Sequence, residues 1–150
     1  MKLLGLMSGT SLDGIDAVLL EVEEGEGSGV VVGWKILAFH TRPYTDQERD
    51  GIRAAIEGGG AHELAHLHTR LGEWFAEAAL ELLDGAGVSP AQVAAIGSHG
   101  QTVWHTPPEP YQRGSSERGS SLQLGCPATL AERTGIGIVS DFRSRDLAAG

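Results

Sequence analysis

MSGTSLDGIDAVLL, residues 7–20, breaks one apolar run with six small or polar residues and opens the next with a carboxylate, Asp16. A tight hairpin connection takes about two to five residues, with Gly or Asn at one or two of them. This one carries two glycines, Gly9 and Gly14, and three hydroxyls, Ser8, Thr10 and Ser11. Glycines at both ends of a hairpin let the backbone turn sharply and leave N–H groups unobstructed. Flanking hydroxyls add donors, and together they suit a phosphate oxygen. No Gly-Lys-Ser/Thr follows, so this is not a P-loop, and the spacing is not that of the dinucleotide fingerprint. A glycine-rich hairpin that holds no ligand is the plain alternative.

The runs on either side, KLLGLM and IDAVLLEVEE, read as strands, with VEEGEGSG as a glycine-rich exit and VVVGWKILAFHTRPY as a third, longer strand. Three consecutive strands with tight connections predict an antiparallel meander. Beyond Thr45 the spacing turns helical. A short amphipathic piece surrounds QERDGIRAAIE, glycines break it at 58–60, and a long helix covers about residues 62–83. In that helix Leu64, Leu67, Leu71, Phe75, Ala79 and Leu82 recur at three and four. Ser89 and Pro90 mark an N-cap and first turn, and the short helix leads into VAAIGSHG, a strand ending in glycine. SLQLG, CPATLAERTG and IGIVSDF repeat strand, helix, strand. PPEPYQRGSSERGSS, residues 107–121, is polar and rich in Gly, Pro and Ser, the composition of a mobile surface loop. The order predicts an α/β lobe of ribonuclease H-like topology, a mixed sheet covered by helices. Ligands of such sheets sit outside the strand ends, and the opening turn is expected there with GSHGQT and DFRSRD.

At 150 residues, 41% apolar and 21% charged, the chain suffices for one domain with a core. A net charge of −9 repels phosphates and argues against a nucleic-acid partner, though a small anion could bind through backbone N–H groups. A single cysteine, Cys126, excludes an internal disulfide framework and points to a reducing compartment, the cytoplasm by default. After Lys2 the apolar run LLGLM ends at five residues, short of a signal-peptide core, and no segment reaches the length of a membrane span.

MSGTSLDGIDAVL, GSHGQTVWH and LQLGCPATLAERTGIGIVSDFRSRDLAAG, in this order, resemble the N-terminal part of anhydro-N-acetylmuramic acid kinase. That family recycles bacterial peptidoglycan and belongs to the actin, sugar kinase and heat-shock ATPase superfamily. The resemblance covers nearly the whole chain and is weakest in the middle helices and the 107–121 loop. It implies a two-lobed enzyme of which these residues are the first lobe, truncated near its end, where a GGQGAP-type segment would follow DLAAG. It also implies an ATP-dependent reaction with Mg²⁺ on a small amino sugar. Water attacks the anomeric carbon of 1,6-anhydro-N-acetylmuramic acid, the bridge opens, and O6 takes the γ-phosphoryl group.

By resemblance, Gly9, Thr10, Ser11, Leu12, Asp13, Gly14, Ile15 and Asp16 match the ATP-binding turn. His99, Gly100, Gln101 and Thr102 match a second loop, set against the sugar. Asp141, Phe142, Arg143 and Asp146 match a third, where Arg143 is the natural two-point partner of the lactyl carboxylate. Many relatives in the superfamily place a metal-orienting aspartate two residues before the first turn glycine, where this chain has Met7. Asp13 is then the candidate for the metal. The resemblance puts the general base in the second lobe, so none is named here. It leaves room for a homodimer of the full-length protein.

Each of these residues has a plainer reading. Asp16 could bond backbone N–H groups at the strand start. His99 could be a hydrogen-bonded turn residue, and Arg143 and Asp146 could join Asp141 and Arg145 in a surface ion-pair cluster. Trp104 and His105 could be edge packing, and Cys126, before Pro127 at a helix start, reads as a structural thiol. HELAH, residues 62–66, satisfies the HExxH zinc pattern. His68 lies two residues further on and points elsewhere on the helix, so the third ligand is missing and a solvated histidine face is expected. A lone actin-like lobe could also bind nucleotide without catalysis.

Overall fold

A computed structural model describes residues 1–25, 30–106 and 119–149. Residues 26–29 of the glycine-rich exit and 107–118 of the expected mobile loop lie outside the described residues. β1 (Lys2–Ser8), β2 (Gly14–Glu24) and β3 (Val31–Pro43) form the meander expected from the sequence. Its register follows the alternation of apolar residues. Leu4 lies opposite Leu19 and Leu6 opposite Ala17, and all four are buried on one face.

The long connection after β3 is helical. Thr45 caps α1 (Asp46–Ile56) with a reciprocal box: Glu48 N–H donates to Thr45 Oγ1 at 3.2 Å and Thr45 N–H to Glu48 Oε2 at 2.9 Å. Glycines 58–60 separate it from α2 (Ala61–Gly85). The stripe Leu67, Leu71, Phe75, Ala79 and Leu82 joins Leu4, Leu6, Ala17 and Leu19 in one core, together with Ile52 of α1. Leu71 is fully buried, and truncation there to alanine costs about 2–5 kcal/mol. Ser89 opens only a 3-10 turn, Pro90–Gln92, before β4 (Val93–Thr106).

β4 runs parallel to β1, with β6 (Ile138–Ser140) parallel on its other side and β5 (Ser120–Leu124) antiparallel to its distal half. The strand order is β3-β2-β1-β4-β5, with β6 also paired to β4, which is the expected mixed, ribonuclease H-like sheet. α3 (Pro127–Thr134) connects β5 to β6 and buries Leu130 in the core, and Gly135 at φ 70° ends it.

Three expectations change. β4 does not end in its glycine: Gly100 takes φ 76° at a register shift, and the strand continues through GSHGQT to Thr106, because its distal half has β5 as a new partner. Ser120, assigned to the loop, belongs to β5, as does Ser121, which the expected loop and the expected strand SLQLG shared. DFRSRD is not a loop. Asp141 at φ 62° turns the chain straight from β6 into α4 (Phe142–Ala149), a helix without an apolar stripe to announce it.

Helices α1, α2 and α3 cover one face of the sheet. The pairing Gly5–Val18–Phe39 and Leu3–Leu20–Ile36 places Phe39 and Ile36 on the other, with Met7 and Phe142, and all four are exposed. No helix of the described residues is long and apolar enough to cross a membrane.

Candidate functional site

The three segments singled out in the sequence meet at the carboxyl ends of the parallel strands. β1 ends with Ser8 beside Gln101 of β4, and β6 ends with Ser140 beside Ser98 of β4. One edge of the sheet therefore carries the opening turn, GSHGQT and the start of α4, where open α/β sheets bind ligands.

Ser8 anchors the turn from inside. Tyr44 Oη donates to Ser8 Oγ at 2.9 Å, and Ser8 Oγ lies 2.5 Å from Gln101 Oε1 and 3.0 Å from the Gly14 carbonyl. The hydroxyl has one hydrogen, which those two acceptors share. Gln101 Nε2 donates to the carbonyls of Thr102 at 3.1 Å and Gly9 at 3.3 Å. Gln101 is fully buried, so its amide joins β4 to the turn and presents nothing to a ligand. Burial pushes the Tyr44 phenol up to about 12, which keeps it a neutral donor. Outside the core, Arg49 Nε donates to the Leu12 carbonyl at 3.0 Å and Tyr44 N–H to the Asp13 carbonyl at 3.1 Å.

Three of the eight turn residues are inward-facing. Leu12 takes φ 55°, which costs a leucine about 1–3 kcal/mol, and sinks its side chain into the core. Ile15 is fully buried. Gly14 is needed for close approach rather than openness, since a Cβ there would stand 2.5 Å from the Arg42 carbonyl. Gly9, Thr10, Ser11, Asp13 and Asp16 form the accessible rim. Ser11 Oγ donates to Asp13 Oδ1 at 2.8 Å, and this hydroxyl, with backbone N–H groups and Arg49, holds the Asp13 carboxyl below the usual range. Asp16 accepts from Thr41 Oγ1 at 2.7 Å, so its partner is a side chain of β3 rather than backbone N–H groups.

Asp16, Met7, Phe39, Gly97, His99 and Phe142 line a hollow of about 220 Å³ on the outer face. His99 also lines a second hollow, of about 330 Å³, with His68, Ser98, Gly125, Asp141 and Ser144. His99 is thus the shared wall, with its Nδ1 3.2 Å from the Gly100 carbonyl. Thr102 Oγ1 accepts from Gln123 Nε2 at 3.2 Å. Arg143 is exposed on α4 and lines neither hollow. Among the described residues Asp141, Arg143, Arg145 and Asp146 make no ion pair, so the surface-cluster reading has no support.

In HELAH the exposed His62 and His66 rings meet edge to face at 4.5 Å. Among the described residues no group of three or more His, Cys, Asp or Glu is placed to hold a metal ion. His68 instead accepts from Gly125 N–H at 3.2 Å. At the start of α3 the Thr129 hydroxyl, with backbone N–H groups, lowers the half-buried Cys126 thiol.

Sequence reasoning missed the brace behind the turn. Arg42 Nη2 lies 2.9 Å from Glu48 Oε1 and 2.8 Å from Glu77 Oε2, and its guanidinium stands 5.8 Å over the Trp74 ring. Tyr44 packs edge-on against the same ring at 5.8 Å. The Thr45-x-x-Glu48 pattern was the available signal, since a capping box fixes Glu48 close to the chain just before it.

Comparison with known proteins adds an independent finding. The profile of the family described as anhydro-N-acetylmuramic acid kinase matches residues 1–150. The protein of that name from Caldanaerobacter subterraneus subsp. tengcongensis is 45% identical over 148 residues, which are 97% of this chain and 36% of that protein. Its namesake from Nitrosomonas europaea is 40% identical over 100% of this chain and 38% of its own length. The one from Bordetella pertussis is 43% identical over 98% and 35%. This chain therefore spans little more than a third of the length of these curated relatives.

Proposed function

The chain belongs to the anhydro-N-acetylmuramic acid kinase family, and on that premise we propose that it is the first lobe of a two-lobed, ATP-dependent sugar kinase. The whole protein opens the 1,6-anhydro ring of anhydro-N-acetylmuramic acid and phosphorylates O6, giving N-acetylmuramic acid 6-phosphate and ADP in cytoplasmic peptidoglycan recycling. Water adds at the anomeric carbon and gives up its proton to a base in the second lobe. The bond from that carbon to O6 breaks, and O6 accepts the phosphoryl group.

The observation that carries this reading is the shared wall at His99. The hollow holding Asp16, from the turn matched to ATP, and the hollow holding Asp141, from the segment matched to the sugar, are both lined by His99, while Gly9, Thr10, Ser11 and Asp13 line neither. Donor and acceptor sites of a phosphoryl transfer have to adjoin in this way.

The chemistry of the rim suits its assignment. Gly9, Thr10 and Ser11 offer backbone N–H groups, and Thr10 its hydroxyl, to phosphate oxygens, while Leu12, Gly14 and Ile15 hold that rim from behind. Asp13, whose carboxyl the Ser11 hydroxyl lowers further, is the residue to meet a hydrated Mg²⁺, which when bound would offset phosphate charge. His99, Thr102, Asp141 and the backbone of Gly100 are assigned to the sugar, with Arg143 to its lactyl carboxylate. Gln101 serves the same site by fixing the turn.

Full-length protein tests the reading in a coupled ADP-release assay. ADP release that requires anhydro-N-acetylmuramic acid, with a product heavier by one water and one phosphoryl group, is the expected result. ADP release that is indifferent to the sugar would refute it.

A further inference from the structure

His68 stands outside every segment matched to a ligand, yet it lines the 330 Å³ hollow with His99, and two hydrogen bonds tie it to the bend between β5 and α3. Its ring Nδ1 accepts from Gly125 N–H at 3.2 Å, and its backbone carbonyl accepts from Cys126 N–H at 2.9 Å. An accepting Nδ1 leaves the proton of the neutral imidazole on Nε2.

The bend it holds touches the sugar side of the site. A Cβ on Gly125, at φ 130°, would meet the Phe75 ring at 3.2 Å and the Gly100 Cα at 3.6 Å, so the bend lies against both. A Cβ on Gly100, at φ 76°, would stand 2.7 Å from the Leu124 carbonyl. The β4 register shift and the end of β5 just before the bend are therefore in close backbone approach, with Gln101 paired to Leu124. His99, the shared wall of both hollows, is the residue next to Gly100. The turn matched to ATP has anchors outside β4 as well: Tyr44 Oη donates to Ser8 Oγ and Arg49 Nε to the Leu12 carbonyl.

We infer that His68 is a positioning residue for the amino sugar: by fixing Gly125 it sets the backbone of Gly100 and with it the placement of His99. The inference rests on the kinase reading for its kinetic readout. A leucine at this position keeps bulk and removes the acceptor, leaving the Gly125 N–H unpaired. An asparagine restores an acceptor near the place of Nδ1.

Steady-state kinetics of the full-length protein tests it. His68→Leu is expected to raise KM for anhydro-N-acetylmuramic acid about tenfold with KM for ATP within about twofold, and His68→Asn to return the sugar KM to within about threefold of wild type. A general loss of stability would move both KM values or neither, and would not distinguish the acceptor. An unchanged sugar KM in His68→Leu, parallel changes for both substrates, or no rescue by asparagine would each overturn the inference. His68→Ala repeats the test without the apolar bulk, and failure of both variants to fold would assign His68 to stability alone and overturn it too. Absence of sugar-dependent ADP release from wild type would instead sink the kinase reading. Hydrogen exchange then decides: faster exchange at residues 97–102 in His68→Leu, with 9–14 unchanged, supports positioning, and unchanged exchange at 97–102 refutes it.

Discussion

Ser8 and Gln101, 93 positions apart in the chain, approach to 2.5 Å where the parallel pairing of β1 with β4 ends. This contact couples the turn matched to ATP with the strand matched to the sugar. Both residues are buried, so neither side chain is available to a ligand, and the coupling is internal.

Replacing Gln101 with leucine follows from that burial. The variant leaves the Ser8 hydroxyl without its closest partner and the Gly9 and Thr102 carbonyls without the amide donor. Unmade buried hydrogen bonds cost about 1–3 kcal/mol, so the urea midpoint of the full-length protein should fall measurably. Lost activity with an unchanged midpoint would return Gln101 to direct contact with substrate.

Acid should weaken the brace behind the turn. Burial pushes the Glu48 carboxyl up, but hydrogen bonds from Arg42 and the Thr45 backbone outweigh it and leave the group below its ordinary value of 4.5. A depressed folded pKa gives stability that is present above the unfolded value and lost as pH falls through the folded one. Thermal midpoints should therefore drop below about pH 4.5, and Glu48→Gln should be less stable at neutral pH with a shallower acid limb. Identical acid limbs for the two proteins would show that Glu48 carries none of this dependence.

Periodicity was enough for the meander, α1, α2 and α3, because each turns a regular apolar stripe toward one core. Leu4, Leu6, Ala17 and Leu19 alternate, and Leu67, Leu71 and Phe75 recur at helical spacing. It failed where the cause was a partner distant in the chain. β4 passes through Gly100 because β5 awaits its distal half, and α4 has no apolar stripe to be read. The same holds within the site. Glycines and hydroxyls mark the turn, but nothing near Gln101 in sequence says that Ser8 fills its amide, and nothing near Gly14 says that the Arg42 carbonyl forbids a side chain.

Arg143 supplies a specificity test. It is exposed and makes no ion pair among the described residues, so its guanidinium is available for a carboxylate. Full-length enzyme should phosphorylate anhydro-N-acetylmuramic acid and leave the anhydro-glucosamine counterpart, which lacks the lactyl group, largely unreacted. Arg143→Lys gives up the two-point geometry and should raise KM for the muramic sugar by about tenfold, a loss of about 1.4 kcal/mol. Equal turnover of the two sugars by wild type would remove Arg143 from this role.

Residues 1–150 prepared alone should associate and should not turn over. The outer sheet face carries Ile36 at 58% and Phe39 at 63% exposure, and Trp34, 67% exposed, lies on the same edge strand β3. Exposed apolar side chains on an unpaired edge favour pairing between copies. Sedimentation velocity should show concentration-dependent association, and Ile36→Lys with Phe39→Lys should suppress it, because charges there oppose both face packing and edge pairing. Catalysis should be missing for a different reason. The proposed base belongs to the second lobe, and a positioned base is worth about 10² to 10⁴ in rate. Titration calorimetry with ATP and Mg²⁺ should find weak binding at best, since the rim of Gly9, Thr10, Ser11 and Asp13 is proposed to supply only phosphate contacts, and in a two-lobed kinase the second lobe would supply most of the adenosine pocket. Clear turnover by these residues alone would place a base among Asp13, Asp16, His99 and Asp141, and the proposed division of work between the lobes would fall.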